Sequence, residues 1–310
     1  MTMRAWRVLA DWAKSRPRVL RWVDRAGRGR GRARFLDHLH FRRERELRPD
    51  FSRWHELDFA CMWLGHASVL IRLGGTTILT DPVFSRKVGP GMIFATLGPR
   101  RSEVGIVNPA LLPPVDVVLL SHAHFDHLDR PTLARLDKRA TVISASNTRD
   151  LLDDLGFAAV RELAVGERMD LGRLTIMALP VQHWGARVFL DTQRGCNGYL
   201  LVAGARRLLF AGDTGDHAYY DDLGPIDLAI MGIGAYRPWA WAHLSPEQAW
   251  QMAGRCGAQK LLPIHHGSFP LGLEPMGEPM RRLLRESSNK PGMLLALRPG
   301  ELWVPASTDG

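Results

Sequence analysis

Ser121-His122-Ala123-His124-Phe125-Asp126-His127 follows directly on the apolar run Val115-Asp116-Val117-Val118-Leu119-Leu120. Three imidazoles and a carboxylate fall between His122 and His127, at the end of a predicted strand. A loop at a strand end can turn neighbouring side chains inward without spending core packing. His122 and His124 can converge on one cation, while Asp126 and His127 project toward a second. Imidazole combined with carboxylate suits zinc first, with iron or manganese as alternative occupants.

Two metals need more donors than one loop supplies, and three further candidates each sit just past a predicted strand. His183 follows Leu174–Leu179, Asp213 follows Leu208–Ala211, and His265 follows Leu261–Ile264. Asp213 carries two oxygens and can bridge two cations, and Gly212 and Gly215 beside it permit close approach. Ligand-type residues delivered at separate strand ends are hard to read as core histidines.

Working outward, short apolar runs recur from about Trp54. Strands are predicted at Ala60–Leu64, Ser68–Leu73, Thr76–Thr80, Val115–Leu120, Thr141–Ser144, Leu174–Leu179 and Tyr199–Val202, then at Arg207–Ala211, Asp227–Met231, Lys260–Ile264 and Met293–Leu297. Leu73-Gly74-Gly75-Thr76 is a hairpin signal. Helical patterns cover Pro131–Leu136, Arg149–Leu155 and Pro246–Cys256, the last with Ser245 as N-cap. Hairpins mixed with crossover helices imply an α/β body of two mixed sheets with helices outside. The body is expected to be one domain over residues 54–310, after an extension over residues 1–53.

Of the 310 residues, 45% are hydrophobic and 24% charged, as in a soluble globular chain. No uninterrupted apolar run approaches the ~18–20 residues of a membrane-spanning helix. The N-terminal stretch also lacks the apolar centre of a signal peptide, so a cytoplasmic location is expected. Cys61, Cys196 and Cys256 form no disulfide framework, which fits a reducing compartment.

The net charge of +9 lies wholly in residues 1–50, with 15 Lys and Arg against 6 Asp and Glu; the rest is balanced at 26 of each. A neutral body argues against a nucleic-acid partner. Trp6, Leu9 and Trp12 form an apolar stripe on a basic helical pattern, and Arg25 to Arg34 is a Gly/Arg run. Residues 1–34 therefore suggest peripheral contact with the anionic inner face of a membrane, or else a helix packed on the body or a partner.

The pattern HxHxDH followed by His183, Asp213 and His265 resembles the metallo-β-lactamase superfamily. The body is similar, more narrowly, to the branch of phospholipases D that hydrolyse N-acylphosphatidylethanolamine. The matching stretches include Trp63-Leu64-Gly65-His66-Ala67-Ser68, Leu79-Thr80-Asp81-Pro82-Val83-Phe84, Gln182-His183-Trp184, Gly232-Ile233-Gly234-Ala235-Tyr236 and Ile264-His265-His266-Gly267-Ser268-Phe269. The similarity runs from about residue 54 to 285.

This resemblance implies an αββα sandwich with the site along one edge, and two Zn2+ per chain. It assigns His122, His124 and His183 to one zinc, Asp126, His127 and His265 to the other, and Asp213 to both. Catalytic roles fall to Asp126, Asp213 and His243, the last matching a family histidine near the substrate phosphate. Asp81 matches a carboxylate behind the ligands, where it would accept an imidazole N–H; His66 is a weaker candidate for a similar supporting place. Zinc lowers the pKa of bound water toward ~7, which would supply a nucleophile for a phosphodiester. The implied substrate is N-acylphosphatidylethanolamine, cleaved to N-acylethanolamine and phosphatidic acid, and the resemblance also suggests a homodimer. The alternative is a dizinc lactonase or esterase acting on a small phosphorylated or lactone substrate.

The chain departs from the branch at Asn197, Arg130 and His266, each expected to reshape the substrate pocket. Trp184, Phe189, Tyr236, Trp239, Trp241 and Phe269 are candidate apolar walls or core residues.

Overall fold

The computed structural model describes residues 46–306, apart from 93, 94, 97, 103–105, 189 and 190. The basic stretch over residues 1–34 and Phe189 lie outside the described residues. The body, from Glu44 onward, forms one compact unit.

Thirteen strands build its two main sheets. β1 (Phe59–Gly65), β2 (Ser68–Leu73), β3 (Thr76–Thr80), β4 (Val117–Leu119), β5 (Thr141–Ala145) and β6 (Ala159–Leu163) make the first sheet, joined at its edge by β13 (Leu302–Trp303). β7 (Arg168–Leu171), β8 (Leu174–Leu179), β9 (Gly198–Ala203), β10 (Arg206–Phe210), β11 (Ile226–Gly232) and β12 (Ala258–Ile264) make the second. The orders are β6-β5-β4-β3-β2-β1-β13 and β7-β8-β9-β10-β11-β12. In each sheet an antiparallel meander gives way to parallel strands, at β3–β4 and at β10–β11.

The strands read as near-continuous apolar runs because both faces of each sheet are covered. Val69, Ile71 and Ile78 of the first sheet meet Ile176, Leu201, Leu208 and Ile230 of the second in the central core. The opposite face of the first sheet buries Leu70, Leu79, Val118 and Val142 under Leu128, Leu133, Leu136 and Leu152. The outer face of the second sheet packs Leu209, Ala229, Met231 and Leu261 against helix α1 (Pro246–Arg255) and helix α2 (Glu278–Glu286). These layers form the expected αββα sandwich. Ser245 caps α1 by accepting from the Gln248 N–H, and the Gln248 side chain accepts from the Ser245 N–H in return. Gly74 and Gly75, with φ of 58° and 83°, make the β2–β3 turn, whose two left-handed positions only glycine adopts freely.

Three local expectations differ. Arg149–Leu155 is two 3-10 turns, Arg149–Leu151 and Asp153–Leu155, because Leu152, at φ −124°, leaves helical geometry between them and Gly156 ends the second. Pro131–Leu136 shortens to a single helical turn over Arg130–Leu133. Met293–Leu297 makes one bridge, Leu294 to Leu261, instead of a strand. Gly300, at φ 84°, then turns the chain toward the far sheet, where Leu302–Trp303 pairs with Met62 and Cys61 of β1.

At one edge the two sheets are stitched together. His122 and Cys196 form an isolated bridge, the Asn197 N–H bonds Ser121 O at 2.9 Å, and the Tyr199 hydroxyl bonds Leu120 O at 2.8 Å. This edge carries the candidate site.

Candidate metal centre

The expected donors come from both sheets and meet at the stitched edge. His122, His124, Asp126 and His127 occupy the loop after β4, and Asp81 directly follows β3. His183, Asp213 and His265 follow β8, β10 and β12. His122 Nε2 faces His124 Nδ1 at 2.8 Å, and His183 Nε2 comes to 3.3 Å of the same nitrogen. The donor atoms of these three residues lie within 4.8 Å of one another, as do those of His66, Asp126, His127 and His265. Asp213 Oδ2 reaches both groups, at 3.1 Å from His127 Nε2, 3.2 Å from His265 Nε2 and 4.0 Å from His183 Nε2.

The chemistry of this set fits divalent cations. Two imidazole nitrogens facing at hydrogen-bond distance need a proton or a cation between them. Burial first, and then neighbouring imidazoles, hold His122 and His183 well below the ordinary histidine range, and burial holds His124 at about 4. These rings are neutral, the ligand form of histidine. Burial would raise the Asp213 and Asp126 carboxyls, but the surrounding imidazoles hold both well below the carboxylate range. Burial opposes a charge on His127, yet Asp213, Asp126 and Asp81 together raise it well above its ordinary value. The pocket thus favours positive charge at its centre. Asp213 Oδ1 and His127 Nε2 are buried there with no hydrogen-bond partner.

Supporting contacts aim the rings. Asp81 is fully buried; its Oδ2 lies 2.6 Å from His127 Nδ1 and accepts from the Ser121 hydroxyl at 2.5 Å. Its Oδ1 accepts from the Ser121 N–H at 2.7 Å. Ser121 Oγ is also 2.9 Å from His122 Nδ1, a link visible in sequence only as a hydroxyl before the first histidine. His183 Nδ1 is 3.1 Å from Ala242 O. His66 Nε2 comes to 3.1 Å of Asp126 Oδ2, a contact that a supporting residue makes to a ligand carboxylate. His66, Asp81 and His265 hold left-handed backbones at φ 53°, 32° and 58°. Such strain costs ~1–3 kcal/mol per residue and clusters at functional sites.

His243 lies with Nδ1 3.7 Å from Asp213 Oδ2, and burial lowers it to about 4. Trp184 stacks on Trp241 at 5.0 Å and touches the rings of His124, His183 and His243. Trp239 completes this wall, 6.2 Å from Trp184. Phe269 sets its ring against His66, whereas the Tyr236 hydroxyl is committed to Glu278 on α2. Of the departures from the branch, Arg130 pairs with Asp154, Asn197 bonds Leu163 O and Tyr199, and His266 stacks on Trp63. Arg187, which no motif marks in the sequence, reaches back from the His183 loop to the His122–His127 loop.

Facing imidazole and carboxylate clusters at the edge of an αββα sandwich define the class of metal-dependent hydrolases. Residues 76–266 match the family model described as the beta-lactamase superfamily domain. The chain belongs to the metallo-β-lactamase superfamily. It is 31% identical over 267 residues to N-acyl-phosphatidylethanolamine-hydrolyzing phospholipase D 1 of Caenorhabditis elegans, covering 78% of this chain and 74% of that protein. It is 33% identical over 248 residues to an uncharacterized protein of Mycobacterium tuberculosis, covering 76% of this chain and 66% of the relative. Among solved structures, the isothiocyanate hydrolase from Delia radicum gut bacteria shares the fold, with a TM-score of 0.63, 20% identity, and coverage of 80% of this chain and 99% of that one.

Proposed function

We propose that the protein is a dinuclear zinc phosphodiesterase that hydrolyses N-acylphosphatidylethanolamine to N-acylethanolamine and phosphatidic acid. The observation that carries this reading is Asp213, whose one carboxylate oxygen faces His127, His265 and His183 across both donor groups. The Caenorhabditis elegans relative, with its named activity, supports the substrate. In this reading His122, His124 and His183 would hold one ion, Asp126, His127 and His265 would hold the other, and Asp213 would serve both. When bound, two zinc ions supply positive charge for phosphoryl transfer and lower the pKa of water toward ~7.

The chain's own residues orient the reaction. With an ion bound, Asp81 would hold the remaining His127 proton on Nδ1 and leave Nε2 as the donor atom, and Ala242 O would do the same for His183. Neutral His243 offers an N–H to a phosphate oxygen as charge builds there. Trp184, Trp239 and Trp241 shield that side of the pocket from water and offer an apolar surface to a lipid chain. In the hydrolysis, water adds to phosphorus, the phosphorus–oxygen bond to the N-acylethanolamine breaks, and a proton passes to the departing oxygen. The basic residues 1–34 would hold the enzyme at the anionic surface where this lipid resides. No helix among the described residues is long and apolar enough to cross a membrane.

The test is mass spectrometry of products from zinc-loaded protein and N-acylphosphatidylethanolamine vesicles, beside Asp213→Ala. The reading requires N-acylethanolamine with phosphatidic acid, absent from the variant. Zinc-loaded protein that leaves the lipid intact and opens lactones would establish the alternative substrate class.

A further inference from the structure

The first donor group draws on two loops whose backbones meet at the His122–Cys196 bridge and the Asn197 N–H to Ser121 O bond, at the far end of the second loop from His183. His122 and His124 lie in the loop between β4 and the helical turn at Arg130; His183 lies in the loop after β8. Their donor nitrogens nonetheless fall within 4.8 Å of one another. A metal site needs its ligands held to about 0.5 Å by the groups behind them, and loops hold less well than strands.

Arg187, four residues beyond His183, joins the two. Its Nη1 donates to Ala123 O at 2.7 Å and to Leu128 O at 2.8 Å. These carbonyls flank the His124–His127 segment, and both residues are fully buried. The guanidinium lies over the Phe125 ring at 4.1 Å, and Phe125 sits between His124 and Asp126. Phe125 itself packs against the cluster of Val83, Val88 and Phe269. Arg187 thus touches the metal loop at its start, its middle and its end. At the base of Arg187's own loop, a side chain at Gly185 would collide with Gly195 O at 2.4 Å and Arg194 O at 2.5 Å.

The cation is held there at a cost. Burial, followed by the charge of Arg130, pulls the guanidinium down to about 10. One nitrogen serves both carbonyls while the flat guanidinium covers the Phe125 ring.

We infer that Arg187 is a positioning residue for the metal centre, fastening the His183 loop to the His122–His127 loop so that the donors of the first group converge. This rests on the metal reading given above and adds to it a residue outside the donor set.

The experiment strips the full-length protein of metal and titrates it with Co2+ against a chromogenic chelator. Wild type, Arg187→Met and Arg187→Lys are compared, with the visible cobalt spectrum and the melting temperature of the metal-free protein recorded in parallel. Methionine fills the space without either bond; lysine keeps the charge but concentrates it at one point. Cobalt affinity is expected to fall about 10–100-fold in Arg187→Met, with an altered ligand-field spectrum, and to recover in part in Arg187→Lys. Unchanged cobalt affinity and spectrum in both variants would overturn the inference, even with a lower melting temperature, because Arg187 would then serve stability alone. If Arg187→Met does not fold, Arg187→Lys decides by the same two readouts. A wild-type protein that takes up no cobalt removes the metal reading and this inference together, a result distinct from wild-type uptake with indifferent variants.

Discussion

Replacing Asp81 by asparagine changes almost no volume and isolates one proton. Asp81 Oδ1 accepts the Ser121 N–H at 2.7 Å, so the asparagine oxygen stays there and the new NH2 turns toward His127 Nδ1, now 2.6 Å from Oδ2. Two donors cannot share that contact. His127 must move its proton to Nε2, the atom that faces Asp213 at 3.1 Å and Asp126 at 3.5 Å. A protonated Nε2 cannot donate a lone pair to a cation. Hydrogen bonds to a charged group are worth ~1.5–3 kcal/mol, and every 1.4 kcal/mol is about tenfold in an equilibrium. Asp81→Asn should therefore weaken metal binding about 10–100-fold, the range expected for partners of metal-bound histidines. Chelator competition measures the affinity, and hydrolysis of a soluble phosphodiester at saturating zinc measures what activity survives. Wild-type affinity in Asp81→Asn would refute the tautomer argument and leave Asp81 as a cap for the turn at Pro82.

Three further outcomes follow from the same geometry. His243→Ala should cut diester hydrolysis by about 10–100-fold, the loss of one hydrogen bond to developing charge, while metal analysis finds the ions retained. Gly212→Ala should lower stability by ~1–3 kcal/mol, read as a fall in melting temperature: Gly212 has φ 59°, and an added Cβ would stand 2.8 Å from Ser121 Cβ. Deleting residues 1–50 should reduce sedimentation with anionic liposomes while sparing a soluble diester; undiminished sedimentation would remove the membrane role of the basic stretch.

Much of the architecture is legible locally. The β2 and β3 strands and the turn between them follow from apolar runs on either side of Gly74-Gly75, because two consecutive left-handed positions leave little choice of connection. The donors stand out because imidazoles and carboxylates at strand ends have no place in a core. Other parts lack a local signature. β6 and β7 carry Arg161, Glu162, Arg168 and Asp170, so their apolar content is too thin to mark them as strands; pairing with β5 and β8 makes them so. Met293–Leu297 is apolar enough for a strand, yet its neighbour Leu261 leaves it only one bridge before Gly300 redirects the chain.

By itself the sequence determined the apolar central strands, the hairpin and the residue types of the site, since each depends on neighbours a few positions away. Only the tertiary structure decided which donors face one another. Asp81 meets His127 across 46 positions, His66 meets Asp126 across 60, and Arg187 meets Ala123 across 64. Those encounters depend on strand order and on the stitched edge between two sheets. The physical reason is that a metal site is assembled from loop ends, and where a loop ends in space is set by the sheet that carries it.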